Sequence, residues 1–418
     1  MSRRWVLVGL IFTGILISYV DRGNLSIAAA SMMHDFSFSP AAMGMLLSGF
    51  FWTYALFQMP AGVIVDRFGI RRVYAGAFLV WSLASAAIAL SRGASDILAM
   101  RLVLGMAEAA GPIASLSFIR QNFSGKEQGL PTSIYIAGQN VGPALGALVG
   151  TLLLDRMGWR FMFAATGLGA LLWLPFWMWL APARRPVPVV RPEATAPRPA
   201  FPWRALLASR VFWAMAACIF VASYYWYFVL TWVPAYLTMS RGFSTLEMGR
   251  VLSTPLFVMA AWNIAAGSCA DRLAKRLGSV FRARVLFAVG GYLGAAAVLL
   301  LLVLPNRAAV LPILVVSMCC VGVGNSNYWA ISQHAPPAHM VGRTIGFLNT
   351  ISQLAGVAAP LVTGWVLGPA KNFSVAIAVA GVCPLLAAGF LLLAGANGRD
   401  GVKALLSGSP AEGAAPAI

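Results

Sequence analysis

Apolar runs long enough to cross a lipid bilayer recur about twelve times along this chain. They fall at roughly 5–33, 40–65, 73–90, 95–119, 130–154, 159–181, 210–239, 245–270, 283–304, 309–332, 342–367 and 372–395. About 20 residues at 1.5 Å each span the hydrocarbon core, where backbone polar groups must be satisfied within their own segment. Each run is therefore expected to be a helix, and the fold class is all-α integral membrane with 12 transmembrane helices. The composition agrees: 60% of the 418 residues are hydrophobic and 10% charged, against about 25% charged in soluble domains. The net charge of +18 does not indicate a nucleic-acid partner, because Lys and Arg lie between the apolar runs and form no basic face interleaved with aromatics. Cys218, Cys269, Cys319, Cys320 and Cys383 fall inside apolar segments without metal-like spacing and read as small buried hydrophobes. His34, His334 and His339 lie in separate loops. No metal site, cofactor or enzyme activity is expected from these residues, and the lipid bilayer is the one extended partner.

Residues 182–209, between the sixth and seventh runs, are rich in Pro and Arg and are expected to be a solvated cytoplasmic linker. It would separate a six-helix bundle over 1–181 from another over 210–396, followed by a disordered cytoplasmic tail over 397–418. Met1-Ser2-Arg3-Arg4 leads directly into a full-length span, so the first helix is expected to be retained. With the N-terminus placed inside, 21 Lys and Arg fall in inner segments and 7 in outer ones, with Arg22 and Arg101 left within helices. The positive-inside rule then puts both termini in the cytoplasm. The halves also repeat. Gly62-Val-Ile-Val-Asp66-Arg67-Phe-Gly-Ile-Arg71-Arg72 follows the second run, and Gly267-Ser-Cys-Ala-Asp271-Arg272-Leu-Ala-Lys275-Arg276 follows the eighth. The aspartates are expected to cap a neighbouring helix and pair with the arginines, so Asp66, Arg67, Arg71, Asp271 and Arg272 read as gating residues rather than substrate contacts. This GxxxDRxGxRR pattern, and the parallel duplication that carries it, resemble the major facilitator superfamily, whose two six-helix bundles are related by pseudo-symmetry.

Four ionisable residues lie deep within the spans. Asp21 and Arg22 stand side by side near the middle of the first, and Arg101 and Glu108 share one face of the fourth, two turns apart with Gly105 between them leaving space. A charge at that depth costs about 2.5–3.5 kcal/mol even on the gentlest insertion scale, so such groups face a protein interior or a water-filled cavity. If an anion takes over a guanidinium, the carboxylate it leaves loses its stabiliser and takes up a proton. The residues therefore suit proton–anion coupling, with a structural ion pair as the alternative. The C-terminal half offers neutral polar and aromatic groups instead: Tyr224 to Tyr227, Thr231 and Trp232, then Asn325 to Trp329 with Tyr328 among them, then Asn349, Thr350 and Gln353. Together these suit a polyhydroxylated anion.

Tyr19-x-Asp21-Arg22-x-Asn24, Phe51-Trp52-x-Tyr54, Arg101-x3-Gly105-x2-Glu108, Trp232-x-Pro234-x-Tyr236, Trp329-Ala330-Ile331 and Gly346-x2-Asn349 carry a finer resemblance. The chain is similar over nearly its whole length to the anion:cation symporter family, which includes bacterial hexuronate, aldonate and glucarate transporters and is similar to sialin and the vesicular glutamate transporters. The resemblance implies import of a sugar acid with protons across a bacterial inner membrane by a monomer. It assigns proton carriage to Asp21 and Glu108, and substrate contact to Tyr19, Arg22, Tyr54, Arg101, Gln139, Ser326, Trp329 and Asn349. Tyr328 and Asn327 make the tenth-helix wall bulkier than a long polyol needs, which keeps a small or aromatic carboxylate open. Gly138-x3-Gly142-Pro143-x2-Gly146 in the fifth run resembles the signature of drug–proton antiporters of the same superfamily, and equally suits close helix packing.

Overall fold

A computed structural model of the chain describes residues 3–124, 127–181, 203–334 and 341–396. Most of the expected linker, His339 and the whole expected tail lie outside the described residues. Among the described residues there are helices and no strands. They are α1 (Arg3–Asp35), α2 (Pro40–Phe68), α3 (Ile70–Leu90), α4 (Ala94–Asn122) and a stretch over Gly129–Leu180. The second set is α7 (Arg210–Met239), α8 (Thr245–Leu277), α9 (Phe281–Val303), α10 (Arg307–Gln333), α11 (Arg343–Leu367) and α12 (Phe373–Ala394). Gly158, at φ 79°, breaks the Gly129–Leu180 stretch into α5 (129–157) and α6 (159–180), which restores twelve spans. A positive φ there is open to glycine at no steric cost. The chain is a multi-pass membrane protein. Within the region read as linker, Trp203–Ala208 forms a short helix, and Ser209 accepts from the Phe212 amide at the start of α7.

The helices divide into two compact units. One holds Met1–Arg191, Tyr227–Phe257 and Gly356–Ala376; the other holds Pro192–Trp226, Val258–Ala355 and Ile377–Ile418. In the first, α1 lies along a glycine stripe of α5. A Cβ at Gly138 would meet Ile15 at 2.4 Å, one at Gly142 would meet Tyr19 at 2.6 Å, and one at Gly150 would meet Ile27 at 2.9 Å. Small residues four apart give a groove in which a second helix backbone can lie, so the stripe is accounted for by packing. The pairing of α2 with α4 is closer still, since a Cβ at Gly105 would sit 2.1 Å from the Phe50 carbonyl oxygen. The space at Gly105 is therefore filled by α2, not left open between Arg101 and Glu108. Stacked rings of Phe78, Trp173 and Trp177 fill the interior behind α3 and α6. In the second unit α9 meets α10 through Gly291, Gly294 and Gly324, and a Cβ on Gly291 would touch the Cys320 carbonyl at 2.6 Å. Cys269 is exposed rather than buried.

Candidate functional site

Successive helical residues point about 100° apart, and this separates the adjacent charges of α1. Asp21 turns to α3, where Ser85 donates to its Oδ1 at 3.0 Å. Arg22 turns to α2 and α4, where its Nε donates to Glu108 Oε2 at 2.6 Å. Glu108 thus pairs with Arg22 across two helices, not with Arg101 on its own helix. It also ends a regular stretch, because α4 is interrupted at Ala109. Pro112 lacks the N–H that would bond the Glu108 carbonyl and its ring crowds that carbonyl, which explains the break. Arg101 Nη2 donates to the Leu47 carbonyl at 3.4 Å.

These groups are out of solvent: Asp21 and Glu108 are 1% exposed and Arg101 is 2% exposed, while the Arg22 side chain keeps 15%. Two positive and two negative charges balance. Yet Arg22 Nη2, Arg101 Nε and Nη1, Glu108 Oε1 and Asp21 Oδ2 are buried without a hydrogen-bond partner among the described residues. Buried charged donors are costly to leave unmade, so an arrangement that keeps them is suited to a ligand that supplies acceptors.

Around Arg22 stand three rings. Its Cζ lies 4.6 Å from the Tyr19 centroid, 4.8 Å from Phe50 and 4.5 Å from Tyr54. Tyr54 is buried and stacks on Phe50 at 5.1 Å, while Phe51 meets Tyr227 edge-on at 4.7 Å. On α5, Gln139 donates to the Tyr135 hydroxyl at 3.1 Å, next to the glycine stripe that holds Tyr19. Asp21, Arg22, Tyr19, Tyr54, Arg101, Glu108 and Gln139 therefore all belong to the first unit, and the first six converge on α1, α2 and α4.

The remaining expected contacts lie in the second unit. Ser326 is exposed on α10 and donates back to the Gly322 carbonyl at 2.8 Å; Trp329 and Asn349 are half-buried. Tyr328, expected to face substrate, is fully buried, and its hydroxyl donates to the Met215 carbonyl of α7 at 2.8 Å. That bond joins two helices, so Tyr328 supports the wall from behind. Asn327 is buried as well and accepts from Arg284 Nη1 at 3.1 Å.

The repeated motifs begin within α2 and α8 rather than in loops, and the pairing expected inside them does not form among the described residues. Asp66 is exposed with no ion pair among the described residues, Arg67 is exposed beside Phe68, and Arg71 donates instead to the Met178 carbonyl of α6. Arg71 reaches Met178 because Trp177 donates to its own carbonyl, 3.1 Å away, and docks that turn onto α6. Asp271 pairs with Arg284 of α9 at 2.5 Å, and Arg272 remains exposed.

Residue-level reading of the sequence missed Phe50 and Ser85. Phe50 is four residues before Tyr54 and so shares its face, but in an apolar helix a phenylalanine carries no contrast. Ser85, with Ser82, is a polar pair on one turn of α3, a signal that was present.

The Major Facilitator Superfamily model matches residues 11–360. Among similar proteins, the D-galactonate transporter of Escherichia coli is 26% identical over 96% of this chain and 97% of its own length. The hexuronate transporter of Bacillus subtilis is 26% identical over 89% of this chain and 90% of its own. The chloroplastic sodium-dependent phosphate transport protein 1 of Arabidopsis thaliana is 28% identical over 87% of this chain and 74% of its own. Among solved structures, a bacterial homologue of the human lysosomal transporter Spinster aligns with a TM-score of 0.79 at 18% identity, covering 96% of this chain and 98% of that one.

Proposed function

This chain belongs to the major facilitator superfamily, and on that premise we propose that it is a proton-coupled importer of organic carboxylates, sugar acids above all. The observation that carries this reading is the Arg22–Glu108 pair at 2.6 Å, buried and yet with an unpartnered donor at Arg22 Nη2. A carboxylate that takes the guanidinium fork displaces Glu108. Arg presents two parallel N–H donors that match a carboxylate, so the exchange replaces one charge-assisted pair by another. Glu108, left buried without its counter-charge, is relieved of the cost of a lone buried anion by taking up a proton. Asp21, held by Ser85 on α3, is the second proton carrier. Binding of anion and proton then leaves the site no more charged than before, which lets it cross the bilayer by alternating access of the two halves.

The names of the relatives support the sugar-acid class: D-galactonate and hexuronate transporters align over nine-tenths or nearly all of their length. Tyr19, Tyr54 and Gln139 of the first unit would supply ring faces and neutral hydrogen-bond groups to the polyol; Ser326, Trp329 and Asn349 of the second are substrate contacts on the sequence resemblance alone, and Tyr328 supports Trp329, whose ring it meets edge-on at 5.5 Å. The protein would act as a monomer in a bacterial inner membrane with both termini in the cytoplasm, with protons as its coupling ion. A second reading, a small or aromatic carboxylate, is favoured by the three rings packed around Arg22. The α5 glycines that also resemble the antiporter signature pack against α1, as either transport direction allows.

The test is uptake by proteoliposomes of labelled D-galactonate, D-glucuronate, D-glucarate and benzoate under an imposed inward proton gradient. Uphill accumulation of a sugar acid, abolished by a protonophore, is the expected result. Uptake of benzoate alone would select the second reading. Anion efflux driven by inward protons would overturn import.

A further inference from the structure

Phe50 is fully buried, yet two guanidiniums meet its ring. The Cζ of Arg22 is 4.8 Å from its centroid and that of Arg101 is 5.2 Å away. Two like charges are thus held apart by no more than those two distances together. The face of an aromatic ring is negative and attracts a cation, so a ring that both guanidiniums approach offsets part of their repulsion. It also stands where hydrogen-bond acceptors are lacking, because Arg22 Nη2 and Arg101 Nε and Nη1 have no partner among the described residues. The placement of the ring is set by the backbone. Gly105 lets the Phe50 carbonyl approach α4 to a distance that any Cβ would forbid, and Thr53 donates to the Leu102 carbonyl at 2.7 Å one turn on. Tyr54 then stacks on one side and Phe51 meets it edge-on at 5.1 Å, so the ring has little room to turn.

We propose that Phe50 is a positioning residue of this site: its ring bridges the Arg22 and Arg101 guanidiniums and holds Arg22 ready for a carboxylate. This rests on the anion-site reading given above. It also divides the two arginines. Arg22, which retains exposure and a spare donor, touches the anion; Arg101, 2% exposed and tied to Leu47, contributes its field through Phe50. The distinction is between a ring that matters for its charge distribution and one that matters only for its volume.

Fluorination separates these, because it drains the negative ring face while changing shape little. In the full-length protein, Phe50 would be replaced in turn by 4-fluoro-, 3,5-difluoro- and 3,4,5-trifluorophenylalanine, and D-galactonate, D-glucuronate and D-glucarate binding measured by calorimetry at fixed salt. A stepwise rise in Kd is expected, reaching about tenfold at the trifluoro residue, as the loss of a desolvated cation–π contact implies. The same series at Phe78, buried and stacked on Trp173 at 4.3 Å, is expected to leave Kd unchanged. Phe50→Leu, which keeps an apolar side chain but no ring, is expected to weaken binding at least as much. A flat series at Phe50 with wild-type binding intact would overturn the role of the ring alone. Failure of the wild-type protein to bind any of the three probes, or benzoate titrated beside them, would overturn the anion site itself.

Discussion

Arg22 is held by one carboxylate and three rings, and each arrangement of its partners has a measurable consequence. Removing one member of a buried ion pair strands the other and costs about 3–5 kcal/mol, whereas removing both is far milder. Arg22→Ala is therefore expected to lower the thermal midpoint of the unliganded protein and to abolish its stabilisation by sugar acids. Arg22→Ala with Glu108→Gln is expected to recover most of the midpoint without recovering binding; additive losses would contradict the pairing. Arg22→Lys is expected to bind poorly despite keeping the charge, because an ammonium has neither the planar fork nor the stacking surface. Asp21, Arg22, Arg101 and Glu108 were legible in the sequence because a charge within an apolar span has to be explained. Their partners were not. Whether Glu108 meets Arg22 or Arg101 depends on the rotation of α1 against α4, which no spacing within α4 determines, and Phe50 is one apolar residue among many.

At the scale of elements, close approach of helices sets where the side chains of the site stand. Gly105 and Gly142 both face backbone or Cβ atoms of a neighbour at 2.6 Å or less. Gly105→Ala is the more severe, since the atom it meets is a main-chain oxygen that cannot turn away. Overpacking of this kind costs about 1–3 kcal/mol, and the shift of α2 that relieves it moves Phe50 and Tyr54. Gly105→Ala is thus expected to lower both thermal midpoint and anion affinity. Gly76→Ala on α3, where an added Cβ meets nothing within 4 Å, is expected to leave affinity unchanged and to leave the midpoint equal or slightly raised, given the helix propensity of alanine. Equal losses at the two positions would contradict this account. The spans themselves were legible to within a few residues, because bilayer thickness imposes their length. The joint between α5 and α6 shows what hydropathy misses: Asp155-Arg156-Met157-Gly158 reads as a loop, while the chain stays helical up to a single positive-φ glycine.

On the scale of the molecule, the duplicated halves were visible through the motifs at Asp66 and Asp271, but the two copies are not used alike. Asp271 is bound by Arg284, which also reaches Asn327 in α10, whereas Asp66, equally exposed, has no ion pair among the described residues. A repeat fixes common ancestry of a motif and leaves its contacts to the surroundings. Helices of both halves also meet within the first unit. The start of α2 and the end of α11 touch through glycines: a Cβ at Gly44 would lie 2.5 Å from the Pro360 oxygen, and one at Gly364 would lie 2.4 Å from the Pro40 oxygen. The alternating access proposed above would have this contact open and close once per cycle. Gly364→Leu is expected to hold it apart, reducing sugar-acid exchange at least tenfold while thermal stabilisation by the same anion persists. Wild-type exchange in that variant would show that the contact takes no part in the cycle.

The central claim is that an incoming carboxylate takes Arg22 from Glu108 and that Glu108 is then protonated. Linkage makes this directly observable, since a group that changes protonation on binding exchanges protons with the buffer. Calorimetric titration of D-galactonate in buffers of different ionisation enthalpy is expected to show net proton uptake by the wild-type protein and reduced uptake by Glu108→Gln that still binds. Binding without proton uptake in the wild-type protein, or uptake unaltered in Glu108→Gln, would contradict it.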